Sequence, residues 1–284
     1  MNEKKCKVLA AEIRLETLKV IHSRGFGHVG GSMDLADLMA VLYGEVMRYD
    51  PKNPRWEDRD WLVLSKGHAG PVAYATFGLV GFYPMEEAYT LNQPHTKFPS
   101  HTDRKLTPGV DLTTGSLGQG ISAAAGMALA AKYQGKSCRV YTLLGDGEIQ
   151  EGQVWEAFMF AHHYKLDNLC VIIDNNGLQI DGAVDKVMSP YPIPDKLKAF
   201  GFAVKEIDGH DFDQIEAAFA EAKATKGVPF AIVMKTTKGK GVSYMENQAG
   251  WHGKAPNDEE YAQAMTELRA AHATLEKEIE FNNG

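Results

Sequence analysis

From residue 139 onward the chain alternates short apolar runs with helix-patterned stretches, and this alternation restricts the fold more than any other feature. Runs at 139–144, 169–173, 202–207 and 229–234 suit strands. Helical patterns at 153–164, 196–200 and 214–223 fall between them. Strands that alternate with helices form a mostly parallel sheet covered on both faces. The expected fold is therefore α/β, a parallel sheet sandwiched by helices. Ligands of such sheets sit just beyond the C-terminal ends of the strands. The residues that follow each apolar run are the first candidates for function.

The first half is less regular. An amphipathic helix is expected over 5–23, with Leu9, Ile13, Val20 and Ile21 on its apolar face. A glycine-rich loop leads to a second helix from about Met33, with Leu35, Leu38, Met39 and Leu42 inward. Asp50-Pro51-Lys52-Asn53-Pro54 is a turn, and Trp61-Leu62-Val63-Leu64 suits a buried strand that ends at Ser65-Lys66-Gly67-His68. Residues 92–116 show almost no periodicity, and a loop of that length inside a compact domain is usually functional or disordered. A small-residue helix follows at 118–133. Residues 1–284 read as one α/β domain with a helical tail from about Asn257 that closes on Asn282-Asn283-Gly284.

Composition removes several classes of function. With 44% hydrophobic and 24% charged residues the chain can bury a core without disulfides or a structural metal. A formal net charge of −7 argues against a nucleic-acid partner. Lys235, Lys238 and Lys240 form a small basic cluster that reads as a solvated loop. Cys6, Cys138 and Cys170 are an odd count without CxxC spacing, so neither a disulfide framework nor a zinc site is expected. Cys138 and Cys170 lie in apolar runs and read as buried thiols. No segment reaches the roughly 18 apolar residues of a membrane span, and the N-terminus lacks a signal-peptide pattern. A reducing, cytoplasmic setting is expected, without membrane association.

Gly25-Phe26-Gly27-His28-Val29-Gly30 fits the GxGxxG dinucleotide pattern, but that mechanism needs a strand before the glycines. A helix precedes them here, and the pattern is rejected. A stronger signal is Gly145-Asp146-Gly147 at the end of one apolar run, with Asn176 at the end of the next. Either cluster alone is an ordinary turn. A right-handed βαβ unit would bring both to one sheet edge. There a carboxylate and an amide oxygen can hold Mg²⁺ octahedrally at about 2.0–2.1 Å, with diphosphate oxygens, a backbone carbonyl and water completing the shell. Glycines beside Asp146 let a bulky anion approach the backbone. Two unrelated turns are the alternative.

The spacing from Gly145-Asp146-Gly147 to Asn176 resembles the signature of thiamine-diphosphate enzymes, and further blocks narrow the resemblance to transketolase. They are Gly27-His28-Val29-Gly30, Leu64-Ser65-Lys66-Gly67-His68, Thr113-Thr114-Gly115-Ser116-Leu117-Gly118-Gln119-Gly120, Gly145-Asp146-Gly147-Glu148-Ile149-Gln150-Glu151-Gly152 and Trp251-His252-Gly253. They stand in the family's order across roughly residues 10–256. The resemblance implies a thiamine-diphosphate-binding fold with Mg²⁺, for which Ca²⁺ or Mn²⁺ can substitute. Asp146, Asn176 and the Leu178 carbonyl would be metal ligands. Gly115, Leu117, Gly147 and Asn176 would contact the cofactor, with Leu117 against the thiazolium ring. Glu151 matches a glutamate that links cofactor sites across a subunit interface; its alternative is an exposed charge in a first helical turn.

Four of the ten histidines fall at places the family uses. His68 and His252 would hydrogen-bond the diphosphate. His28 and His101 would contact the donor sugar's hydroxyl groups and assist proton transfer, and His28 and His252 would also line the substrate channel. Imidazole suits the task, because its unperturbed pKa of about 6.5 allows proton exchange near neutrality. His22, His162, His163, His210 and His272 carry no motif, and His95 stands in the aperiodic loop outside any block. Three departures from the family touch loop detail and substrate preference. Phe98-Pro99-Ser100-His101-Thr102 replaces the usual Pro-Gly-His-Pro, and Val29 and Ser116 each replace a proline.

In the family, a second and a third domain follow, and the second supplies a glutamate and an aromatic pocket for the cofactor's pyrimidine. No segment after Trp251 matches them. The resemblance therefore implies the N-terminal subunit of a two-component transketolase. Its partner would carry the pyrimidine-binding and C-terminal domains, in a family-like heterotetramer. Such an enzyme moves a two-carbon ketol unit from a ketose phosphate to an aldose phosphate. The alternatives are a subunit of a deoxyxylulose phosphate synthase-like or 2-oxoacid dehydrogenase-like enzyme, and an inactive cofactor-binding relic.

Overall fold

Aliphatic residues fill both faces of the central strands, as a sheet covered on two sides requires. In the computed structural model, which describes residues 3–281, the strands are β1 (Trp61–Leu64), β2 (Val140–Gly145), β3 (Leu169–Asn175), β4 (Leu178–Gln179), β5 (Gly182–Ala183), β6 (Ala203–Asp208) and β7 (Phe230–Lys235). The Asn282-Asn283-Gly284 tail lies outside the described residues. Five strands form one parallel sheet in the order β1-β2-β3-β7-β6, and β4 and β5 make a separate antiparallel hairpin. β2 and β3 are neighbours with Gly145 opposite Asp174. The turns after them therefore open at the same edge.

The helices are α1 (Glu3–His22), α2 (Gly30–Met33), α3 (Ala36–Val41), α4 (Gly70–Leu79), α5 (Gln119–Tyr133), α6 (Gly152–His163), α7 (Val184–Val187), α8 (Ile193–Ala199), α9 (Phe212–Ala224) and α10 (Asp258–Phe281). Leu62, Leu64, Tyr141, Leu143, Ile172 and Ile232 pack with α1, α3, α4 and α9 on one face. Val63, Val140, Leu144, Val171, Ile173 and Val233 pack with α5, α6 and α8 on the other. The period-two alternation of strand side chains thus divides the core into two layers. Cys138 and Cys170 are buried thiols, as expected, and Cys6 joins them. Among the described residues no helix is long and apolar enough to cross a membrane.

Two elements depart from the expected pattern. The helix expected from Met33 is broken: α2 and α3 are short, and a wider π turn at Leu42–Val46 follows. Leu35, Leu38, Met39 and Leu42 are nonetheless all buried. α4 gave no periodic signal because nearly its whole surface is covered, from Gly70 to Phe77. Pro71 sits in its first turn, where a missing N–H costs nothing. The 92–116 stretch has no helix or strand of its own, yet it is tied down by its neighbours. Tyr74 donates to the Pro99 carbonyl at 2.8 Å, and the Asp111 carboxylate accepts the Leu62 N–H at 2.9 Å.

Candidate active site

The site begins where β2 and β3 end. Asp146 Oδ1 accepts the N–H of Gly147 at 2.8 Å, and its Oδ2 accepts the N–H of Gly177 at 2.6 Å. The Asp146 N–H in turn donates to the Asp174 carbonyl at 3.1 Å. The two turns picked out in the sequence are therefore joined in space. Asn176 Nδ2 donates to Asp34 Oδ2 at 2.9 Å and to Asp174 Oδ2 at 3.1 Å, while its Oδ1 accepts the Leu178 N–H at 3.0 Å. Two carboxylates on one side fix the amide's orientation, because only its NH₂ end can donate to them.

Behind these groups lies a buried set of charges. Lys66 Nζ stands 2.5 Å from Asp174 Oδ2, and Thr236 donates its hydroxyl to the other Asp174 oxygen. Lys238 is 2% exposed, and its Nζ donates to the Leu178 carbonyl at 3.3 Å. The expectation of a solvated loop is thus wrong for Lys238, although Lys235 is exposed and Lys240 partly so. Burial pushes the Asp146 carboxyl up to about 6, and the nearby Asp174 charge adds to the effect. Burial opposes the charged form of Lys66, but the Asp174 and Asp34 carboxylates outweigh it and hold the ammonium firmly protonated. Burial also lowers the Lys238 ammonium from its ordinary range. Asp34 Oδ1 is buried without a hydrogen-bond partner.

Above this floor four histidines converge from four separate segments. The His28 ring lies 5.2 Å from His68, 5.9 Å from His101 and 5.7 Å from His252, and His68 lies 5.1 Å from His252. Burial pushes His252 down to about 3 and His68 well below its ordinary value, with cationic Lys238 and Lys66 contributing. Burial lowers His28 as well, assisted by His101 and the two lysines. These three rings are neutral near pH 7, and an anion in the cleft would oppose the lysines' effect. The Nδ1 atoms of His28 and His252 are buried and unpartnered.

Floor and histidines bound a cleft of about 320 Å³. Its wall includes every residue singled out in the sequence: His28, His68, His101, Gly115, Leu117, Asp146, Gly147, Glu151, Asn176, Leu178 and His252. Sequence reasoning assigned no role to Lys66, Lys238 or Glu148. Glu148 is buried and accepts the N–H groups of Gly118 at 2.9 Å and Gly145 at 3.1 Å, along with the Ser65 hydroxyl. Its place three residues after Gly145 was the available signal. Backbone crowding reinforces the join. A Cβ on Gly67 would lie 2.6 Å from Thr114 Oγ1, and one on Gly120 would lie 2.6 Å from Ser65 Oγ. Glu151 stands exposed at the start of α6. The rejected dinucleotide pattern follows α1, so the strand its mechanism needs is indeed missing. His95 lines a different surface depression.

The donor set suits a hard cation. One carboxylate, one amide oxygen and one carbonyl are the oxygen ligands that Mg²⁺ accepts with water or phosphate oxygens in its remaining positions. Among the described residues no three His, Cys, Asp or Glu side chains form a metal cluster. Buried ammonium groups and unpartnered imidazole nitrogens above that corner suit a phosphorylated anion. The cleft therefore fits a metal-bound diphosphate.

Known proteins share this arrangement of sequence and fold. Residues 5–278 match the family described as transketolase, thiamine diphosphate binding domain. The chain is 47% identical over 256 residues to a 6-deoxy-6-sulfo-D-fructose transketolase subunit of a Clostridium species (strain MSTE9), covering 90% of this chain and 93% of that one. It is 39% identical over 271 residues to an apulose-4-phosphate transketolase subunit of Phocaeicola vulgatus, covering 95% of each. The transketolase structure from Campylobacter jejuni superposes with a TM-score of 0.89 at 32% identity, over 97% of this chain but 46% of that one. The chain thus spans the length of the two subunits and under half of the longer enzyme.

Proposed function

The chain belongs to the transketolase family, carrying its thiamine diphosphate binding domain, and we propose that it is the N-terminal subunit of a two-component transketolase. The observation that carries this reading is the joining of Asp146 and Asn176 beneath four histidines in one cleft. Near-complete coverage of relatives that are themselves subunits supports the split organisation. The partner subunit carries the pyrimidine-binding and C-terminal domains, in a heterotetramer. The chain functions as one cofactor-binding domain with a helical tail, in the cytoplasm, where its three free cysteines stay reduced.

Asp146, Asn176 and the Leu178 carbonyl would hold Mg²⁺ against the diphosphate, with Ca²⁺ or Mn²⁺ as substitutes. His68, His252 and Lys238 would donate to the diphosphate oxygens. Gly115, Leu117 and Gly147 would lie along the cofactor, and Glu151 would face the neighbouring subunit. When bound, thiamine diphosphate supplies a thiazolium ring able to stabilise negative charge on carbon. His28 and His101 bind the donor sugar's hydroxyl groups, and His28 or His252, held neutral, accepts a hydroxyl proton and later returns it. The two subunit relatives are named for ketoses ending in a sulfonate or a phosphate. The donor is accordingly a ketose with a terminal anionic group, and the acceptor an aldose phosphate.

Co-purification with the partner subunit, followed by a ketol-transfer assay, tests the reading. Transfer is expected from the pair and from neither chain alone. Transfer by this chain alone would refute the split site. A pair that takes up no thiamine diphosphate with Mg²⁺ in calorimetry would refute the cofactor assignment.

A further inference from the structure

His210 lies in the turn between β6 and α9, outside the cleft's wall and outside every motif used so far. Both of its ring nitrogens are engaged. Nε2 accepts the backbone N–H of Thr237 at 2.9 Å, and Nδ1 stands 2.8 Å from Asp37 Oδ2. A backbone N–H can only donate, so Nε2 bears no proton and the neutral ring carries its hydrogen on Nδ1, facing the carboxylate. Asp37 is held by Arg14 through two parallel bonds of 2.8 and 2.5 Å. A partly buried chain of contacts thus runs from α1 through α3 and the β6–α9 turn to the segment after β7.

That segment bears Lys238, the buried ammonium beside Leu178. It is fixed on either side by backbone contacts, Thr236 N–H to the Asn175 carbonyl at 3.3 Å and Gly239 N–H to the Gly30 carbonyl at 3.0 Å. The Thr237 carbonyl accepts the Lys240 N–H at 3.1 Å and the Lys238 carbonyl accepts the Asn247 N–H at 2.9 Å, while the partner of the Thr237 N–H is an imidazole. We propose that His210 is a positioning residue: as a neutral imidazole braced by Asp37 and Arg14, it clamps Thr237 and so seats the Lys238 ammonium at the floor of the cleft. The clamp acts in the free chain. Its consequence for cofactor affinity rests on the transketolase reading.

Lysine acylation of the full chain, read residue by residue by mass spectrometry, separates a local clamp from general stability. Lys66 serves as internal reference, because it is equally buried but held by Asp174. His210→Gln keeps an acceptor for Thr237 and a donor for Asp37; His210→Leu removes both. Lys238 and Lys66 should stay protected in the wild type and in His210→Gln. In His210→Leu, Lys238 should label roughly tenfold faster with Lys66 unchanged, on the scale of lost outer-contact support. Equal rates at Lys238 in all three proteins, or loss of protection at both lysines together, would overturn the clamp. Should His210→Leu fail to fold, ¹⁵N spectra of the wild-type imidazole decide, and a proton on Nε2 would overturn it.

With Mg²⁺ and the partner subunit present, His210→Leu should weaken thiamine diphosphate binding by roughly tenfold and His210→Gln should restore it. Unchanged affinity despite a freed Lys238 would overturn the functional half of the proposal. Failure of the wild-type pair to bind at all would instead count against the family reading.

Discussion

At the floor of the cleft Asp174 and Lys66 are buried side chains that carry charge, whereas around it Ile180, Val187 and Met188 are apolar side chains left in water. Ile180 is 67% exposed and Met188 65%, while Lys66 is 2% and Asp174 fully covered. Ordinary domains do the reverse, and each inversion has a cost. The floor offsets its cost internally, since Lys66, Asp174 and Asn176 satisfy one another. The rim has no such compensation within the chain. Floor chemistry therefore suits a ligand and rim chemistry an apolar partner surface, and the two should respond differently to substitution.

The largest effect should come from breaking the floor's ion pair. Lys66→Met leaves Asp174 buried without its cation and should cost about 3–5 kcal/mol of folding stability, measured by urea unfolding. A loss below about 1 kcal/mol would show that the floor is not self-compensated. Asp146→Asn should instead largely spare the fold, because it removes a buried charge while keeping the side chain's volume and an oxygen that can accept the Gly177 N–H. It should cut Mg²⁺-dependent cofactor affinity in the two-subunit complex by more than the roughly 10–100-fold that an outer contact is worth. Retained affinity in calorimetry would remove Asp146 from the metal site.

A smaller effect separates the floor from a charged cluster that lies away from the cleft. Burial alone would raise Asp37, but Arg14 and His210 bring it down to about 2. A carboxylate lowered on folding adds stability that is complete above its unfolded value near pH 4 and is lost as the pH falls through its folded value. Acid unfolding between about pH 4 and pH 2 should therefore lose about 2 kcal/mol that Asp37→Asn does not lose. Parallel acid curves for the two proteins would contradict it. The smallest change in the free chain belongs to the rim. Met188→Lys should alter its stability by no more than about 0.5 kcal/mol, yet weaken about tenfold its association with the partner subunit, read by analytical ultracentrifugation. Unaltered association would place the interface elsewhere.

The contrast also explains what could be read from the residues alone. The parallel sheet followed from apolar runs, of which β2 and β3 are buried along nearly their whole length, and the Asp146 and Asn176 turns followed from their place at the ends of those strands. Those signals are local. Lys238 was misread because its exposure is decided by groups far away in sequence; nothing between Lys235 and Lys240 marks the middle lysine as buried. Lys66 and Asp174 are 108 positions apart, and only the sheet brings them together. α4 escaped because a helix covered on nearly all sides has no polar face to set a period. The break between α2 and α3 was hidden because the same apolar positions are buried with or without a continuous helix.

The seam between the Gly67 and Gly120 loops has a consequence for how the cleft adapts. Neither loop has room for even a methyl group against the other, and Thr114 Oγ1 also donates to the Leu64 carbonyl at 2.7 Å across the same line. The wall bearing His68, Gly115 and Leu117 must therefore travel as one jaw or stay still. Adjustment to a longer or shorter sugar falls to the opposing side, where the β4–β5 hairpin pairs with no strand of the main sheet. Selectivity among donors should accordingly evolve on that side first, with the jaw left as a fixed gauge.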